Sequence, residues 1–191
     1  MRFIKDSEYI RNSTPMTKEE IRAVIMAKLS IEKDECIFDI GAGTGSISIQ
    51  SALYAYEGKV YAVECDTEAV EAIRQNIKKF NINNIEIIEG RAPDIIKDRG
   101  YSADKIFIGG SSGEIVRIVD TALNILKDGG MLVMSFIVLE NLLLCLNKLK
   151  ESGYSYEVIS MQVSAGKEIG TGTMMIANNP IYILTMKKER G

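Results

Sequence analysis

The sequence predicts a doubly wound, Rossmann-like α/β domain whose seven-stranded, mostly parallel sheet has its last strand antiparallel. Three observations carry this expectation. Five short β-rich runs alternate with stretches of helical spacing. The first run leads straight into a glycine-rich turn, DIGAGTGS. The last two β-rich runs have no helix between them. Strand–helix alternation implies right-handed crossovers and a parallel sheet covered on both faces. Two successive strands without a crossover pair antiparallel.

The elements follow in order. TKEEIRAVIMAKL places Ile21, Val24, Ile25 and Leu29 on one helical face. Thr17 and Glu20 have the spacing of a capping box, with Met16 and Ile21 placed as a hydrophobic staple. CIFDI (36–40) is the first strand, and a helix starts near Ser46. KVYAVE (59–64) is the second strand. Asp66 then caps a helix burying Ala69, Ile73, Ile77 and Phe80. IEIIE (85–89) is the third, followed by EGRAPDII with Pro93 at a first helical position.

DKIFIG (104–109) and MLVMSF (131–136) are strands flanking the helical EIVRIVDTALNIL. VLENLLLCLNKLKESG is a helix stopped at Gly153. YSYEVISMQV (154–163) and PIYILTMKK (180–188) complete the sheet. The glycine-rich SAGKEIGTGTMMIANN between them is expected to be a lid carrying Lys167.

The 191 residues suit a single domain, 1–191, with a sizeable core. Hydrophobic content of 46% and charged content of 26% place the chain in the soluble globular class. A net charge of −3 speaks against a nucleic-acid partner. With no histidine there is no imidazole base and no histidine-ligated metal site, and no metal is expected. Cys36, Cys65 and Cys145 are scattered without a CxxC, which suits a reducing compartment. The N-terminal MRFIKDSEYIRNS is too mixed for a signal peptide, and LLLCL is far shorter than a membrane span. The expectation is a cytoplasmic protein without membrane contact.

In open α/β sheets the ligand sits beyond the carboxyl ends of the strands. Gly41-Ala42-Gly43-Thr44-Gly45 after Asp39 is GxGxG, without the third glycine that a dinucleotide pyrophosphate turn uses. This shorter turn after an acid resembles the S-adenosylmethionine turn of class I methyltransferases. Glu64, at the end of the second strand and 23 residues after Gly41, suits a ribose diol. The loop holding Ala92 lies where an adenine edge is within reach.

With these residues in place, the sequence resembles cobalt-precorrin C15-methyltransferases (decarboxylating) of the anaerobic cobalamin pathway. The resemblance runs nearly end to end. TPMTKEEIRAVIMAKL, FDIGAGTGSISIQSA, VYAVE, NIEIIEGRAPD, FIGGSSG and NNPIYIL carry it. It implies a class I methyltransferase using S-adenosyl-L-methionine, with cofactor contacts at Thr17, Gly41 to Gly45 (Ala42 and Thr44 included), Glu64 and Ala92. It implies an anionic tetrapyrrole substrate, cobalt-precorrin-6B, methylated at C15 with loss of an acetate carboxyl. It also implies a homotetramer.

The FIGGSSG stretch would let a flat macrocycle approach at Gly109, Gly110 and Ser111. Sulfonium methyl transfer to an enamine-like carbon needs positioning rather than a strong base, and the sequence names no catalytic acid or base. Lys18, Arg22, Arg91 and Lys167 are candidate anchors for substrate carboxylates. NNPIY (178–182) has the look of an amino-methyltransferase motif, yet it stands at a late strand, where Pro180 is simply the residue leading in. Three other readings stay open: a tRNA adenine methyltransferase of the same fold, a non-catalytic nucleotide-binding module and, disfavoured by the glycine spacing, a nicotinamide dehydrogenase.

Overall fold

The computed structural model describes residues 2–97, 99–110 and 113–189. Nine strands and five α-helices are found there: α1 (Glu19–Leu29), β1 (Cys36–Ile40), α2 (Ser46–Tyr54), β2 (Lys59–Glu64), α3 (Thr67–Phe80), β3 (Ile85–Glu89), β4 (Ala103–Ile108), α4 (Ile115–Ile125), β5 (Leu126–Phe136), α5 (Leu139–Glu151), β6 (Tyr156–Met161), β7 (Ser164–Ile169), β8 (Gly172–Ala177) and β9 (Ile181–Lys187).

Seven strands form one sheet in the order β3-β2-β1-β4-β5-β9-β6. The pairs among β1 to β5 are parallel, and β9 runs antiparallel to both neighbours, as expected. The direction of winding reverses between β1 and β4, which is where such sheets open a crevice.

Alternation along the strands divides the core. Phe38, Ile106, Leu132, Met134 and Leu184 point to one face, under α4 and α5. Phe107, Val133 and Ile183, each one residue out of phase, point to the other face and meet Ile21, Ile25 and Leu29 of α1. α3 keeps its expected cap: Asp66 accepts from the amides of Glu68 at 2.8 Å and Ala69 at 3.1 Å.

Four local expectations fail. Thr17 does not cap α1; Lys18 takes that position, and its side chain makes no cap bond. Tertiary contacts outbid the local box: the Glu19 carboxylate accepts from Asp6 N, and the Thr17 carbonyl accepts from Arg22. The staple is absent, because Met16 packs by Ile4, Tyr9 and Ile49 while Ile21 packs by Phe107. Residues 92–97 form consecutive turns rather than a helix begun by Pro93.

The fourth concerns the glycine-rich segment. It is a separate antiparallel hairpin, β7–β8, and every residue of both strands is exposed. A two-stranded ribbon is marginal alone, and this one carries Ile169, Met174, Met175 and Ile176 outward.

Candidate active site

The crevice at the strand reversal is a cleft of about 720 Å³. Its near wall is the turn after β1. Gly41 N and Ala42 N both donate to Val63 O, at 2.9 and 3.1 Å, so the turn leans on β2. Gly41 has φ +74, and a Cβ there would lie 2.6 Å from Gly110 N. Only a bare backbone lets the β1 and β4 turns meet so closely.

Gly43 has φ +57, with Pro15 O at 3.0 Å from any Cβ. Thr44 and Gly45 do not line the cleft. Thr44 is buried behind it, its carbonyl held by Asn76 Nδ2 at 3.0 Å, and Gly45 caps α2 against Ile73.

Glu64 closes the β2 end. Its Oε2 accepts from Gly43 N at 2.8 Å, and its Oε1 accepts from Cys65 N at 2.7 Å and Asp66 N at 2.9 Å. A carboxylate offers about four lone-pair sites, so three are engaged by backbone amides. Beneath the turn, Asp39 is fully buried. The Ser48 hydroxyl donates to its Oδ2, while Oδ1 has no partner among the described residues. Burial pushes its carboxyl up to about 7, with the Glu64 charge adding to the rise and the Ser48 bonds opposing it.

The remaining sequence candidates separate clearly. Thr17, Ala92, Gly109 and Gly110 line the cleft. Ser111 lies outside the described residues. Lys18 and Arg91 line it too, 3.9 Å from Asp6 and 4.0 Å from Glu114 respectively. Lys167 stands on the exposed hairpin β7–β8 and is not among the lining residues.

Arg22 is not an available anchor, because it is fully buried. Its guanidinium donates to Asp6 at 3.1 Å, to the Thr17 carbonyl at 2.8 Å and to the Ile4 carbonyl at 2.6 Å. It also faces the ring of Tyr9 at 4.9 Å. The sequence disguised this role, since its partners come from an N-terminal segment with no regular pattern.

The far end of the cleft was the part that sequence reasoning missed. Ser135 and Phe136 at the end of β5, Asn141 on α5, and Asn178 and Asn179 before β9 line it. NNPIY was the available signal. Pro180 does lead into β9, but the two asparagines ahead of it face the cleft.

A family model described as a precorrin methyltransferase domain matches residues 8–188. A protein of Salmonella typhimurium named cobalt-precorrin-6B C(15)-methyltransferase (decarboxylating) is 36% identical over 188 residues, covering 97% of this chain and 96% of its own. One of Sulfolobus acidocaldarius, named a probable enzyme of the same kind, is 40% identical over 188 residues and 97% of both chains. Among solved structures, a precorrin-6y C5,15-methyltransferase of Geobacter metallireducens superposes with a TM-score of 0.91 at 34% identity, covering 97% of each chain.

Proposed function

The chain belongs to the precorrin methyltransferase family, and we propose that it methylates C15 of cobalt-precorrin-6B from S-adenosylmethionine while an acetate arm of the substrate loses carbon dioxide. The observation that carries the reading is one cleft with two unlike ends. A bare glycine turn, Glu64 and Ala92 line one end, Gly109 and Gly110 stand against that turn in the middle, and the uncharged end of β5 lines the other.

The residues present fit the cofactor. Only bare backbone lets the turn close against Gly110 and Pro15 while Gly41, Ala42 and Gly43 still line the cleft in which a ligand would lie. The backbone from Gly41 to Gly43, with Thr17, Glu64 and Ala92, would hold it, Thr44 and Gly45 supporting the turn from behind. When bound, it supplies a methyl group on a sulfonium, a leaving arrangement that needs no further activation. The chain's own work is positional. Glu64, already fixed by three amides, accepts from a ribose hydroxyl at its remaining site and sets the nucleoside's depth. Gly109 and Gly110 leave room for a flat acceptor at the methyl end. The buried Phe136 excludes water there.

The apolar hairpin β7–β8 and the exposed Leu139, Leu143 and Leu144 support a homo-oligomer, a tetramer in this reading. Light scattering tests it. No helix among the described residues is long and apolar enough to cross a membrane. Three free cysteines support a cytoplasmic setting.

The decisive experiment incubates the full chain with cofactor and cobalt-precorrin-6B and reads the product by mass spectrometry. Gain of a methyl group with loss of carbon dioxide is the expected result. An unaltered tetrapyrrole, from protein shown to bind S-adenosylhomocysteine, would overturn the reading.

A further inference from the structure

The far end of the cleft differs in charge from the near end. The near end's carboxylates, Glu64, Asp66 and Glu68, stand at the end of β2 and the start of α3. The two cations that line the cleft, Lys18 and Arg91, each lie within 4.0 Å of a carboxylate. Around the ends of β5 and β9 the lining is Ser135, Phe136, Ile137, Asn141, Asn178 and Asn179, all uncharged.

β9 is three strands from β1 in the sheet, about 14 Å, and five from β3, about 24 Å. A nucleoside lying over β1 to β3 therefore leaves the asparagines to the acceptor. Asn178 N donates to Val163 O at 2.9 Å, which anchors the backbone bearing both side chains.

A substrate rich in carboxylates meeting an uncharged lining around the ends of β5 and β9, among the described residues, calls for a reason. A carboxylate that leaves as carbon dioxide gives up its charge as the bond breaks. A cation holding it would stabilise the starting state more than the transition state. Neutral amides orient the group without that penalty.

We propose that Asn178 and Asn179 donate their side-chain N–H groups to the acetate carboxylate that is lost, holding it at the uncharged end of the cleft. This rests on the functional reading above. In the step, the bond between the acetate methylene and its carboxylate breaks and carbon dioxide departs. The electron pair passes into the conjugated ring, where it replaces the pair committed to the new carbon–methyl bond. A proton lost from the ring and delivered to the methylene, directly or by way of water, completes the methyl group left behind, so no oxidant or reductant is consumed.

The test uses the full-length Asn178→Asp/Asn179→Asp double variant and Asn179→Lys. Three readouts are needed: absorbance titration of cobalt-precorrin-6B into cofactor-free protein, carbon dioxide release in a single turnover, and calorimetry with S-adenosylhomocysteine. The double variant is expected to weaken tetrapyrrole binding about tenfold or more, with S-adenosylhomocysteine affinity held within about twofold. Asn179→Lys is expected to bind the tetrapyrrole more tightly than wild type and yet release carbon dioxide about tenfold more slowly.

Wild-type binding and release by the double variant would overturn the inference, as would undiminished release by Asn179→Lys. If the double variant also loses S-adenosylhomocysteine, the asparagines serve the fold and the inference falls. A wild-type protein that binds S-adenosylhomocysteine but leaves the tetrapyrrole unchanged sinks the functional reading instead.

Discussion

The Gly43 amide donates to Glu64 Oε2 at 2.8 Å, tying the turn after β1 to the end of β2. With the amides of Cys65 and Asp66 on its other oxygen, this carboxylate is oriented by the backbone alone. Hydrogen bonds to a charged group contribute about 1.5–3 kcal/mol each. Glu64→Gln keeps the shape but brings an N–H group against one of these donors. Its affinity for S-adenosylhomocysteine should fall about tenfold or more by calorimetry, and unaltered affinity would remove Glu64 from the site.

Gly43→Val tests the turn itself. Valine at φ +57 is strained by about 1–2 kcal/mol, and its Cβ would press on Pro15 O at 3.0 Å. The far-UV circular dichroism should stay native while S-adenosylhomocysteine binding disappears. Retained binding would place the nucleoside elsewhere.

Asp39 makes stability depend on pH in an unusual direction. Burial raises its folded pKa to about 7, above the ordinary 3.8. Between those values the native state holds a proton that the unfolded chain has released. Asp39's contribution is therefore fully present below about pH 4 and is lost as pH rises towards 7. One such group gives a slope of up to about 1.4 kcal/mol per pH unit. The chain has no histidine to mask it. Urea midpoints should fall from pH 5 to pH 7.5 in wild type and stay flatter in Asp39→Asn; parallel curves would contradict the assignment.

Arg22→Met removes a buried cation from Asp6 and from the carbonyls of Ile4 and Thr17. Breaking such a network costs about 3 kcal/mol, so the midpoint of urea unfolding should drop clearly. Because Thr17 lines the cleft, S-adenosylhomocysteine affinity should weaken in the same variant. A stable Arg22→Met protein would mean that the N-terminal segment is not held through this side chain.

Residues 36–89 were legible because their information is local. The strand runs, the Asp66 cap and the GxGxG spacing each express a short-range rule, and parallel strands must place β1, β2 and β3 side by side. Several misreadings came from contacts distant in sequence. Thr17 is not the cap of α1, whose first turn is tied instead to the N-terminal segment by Asp6 N donating to Glu19. Lys167 left the cleft because its segment pairs with itself as β7–β8. Asn178 and Asn179 became cleft residues because β9 inserts between β5 and β6.

The order of apolar and polar residues by itself determined the α/β class, the antiparallel last strand and the glycine turn with its acid. Each depends on backbone geometry over a few residues. Tertiary structure alone decided that Arg22 is buried, that a hairpin is exposed along its whole length, and that uncharged amides line the same cleft as the glycine turn. Burial and charge pairing depend on which distant segments fold together, and no spacing along the chain encodes that.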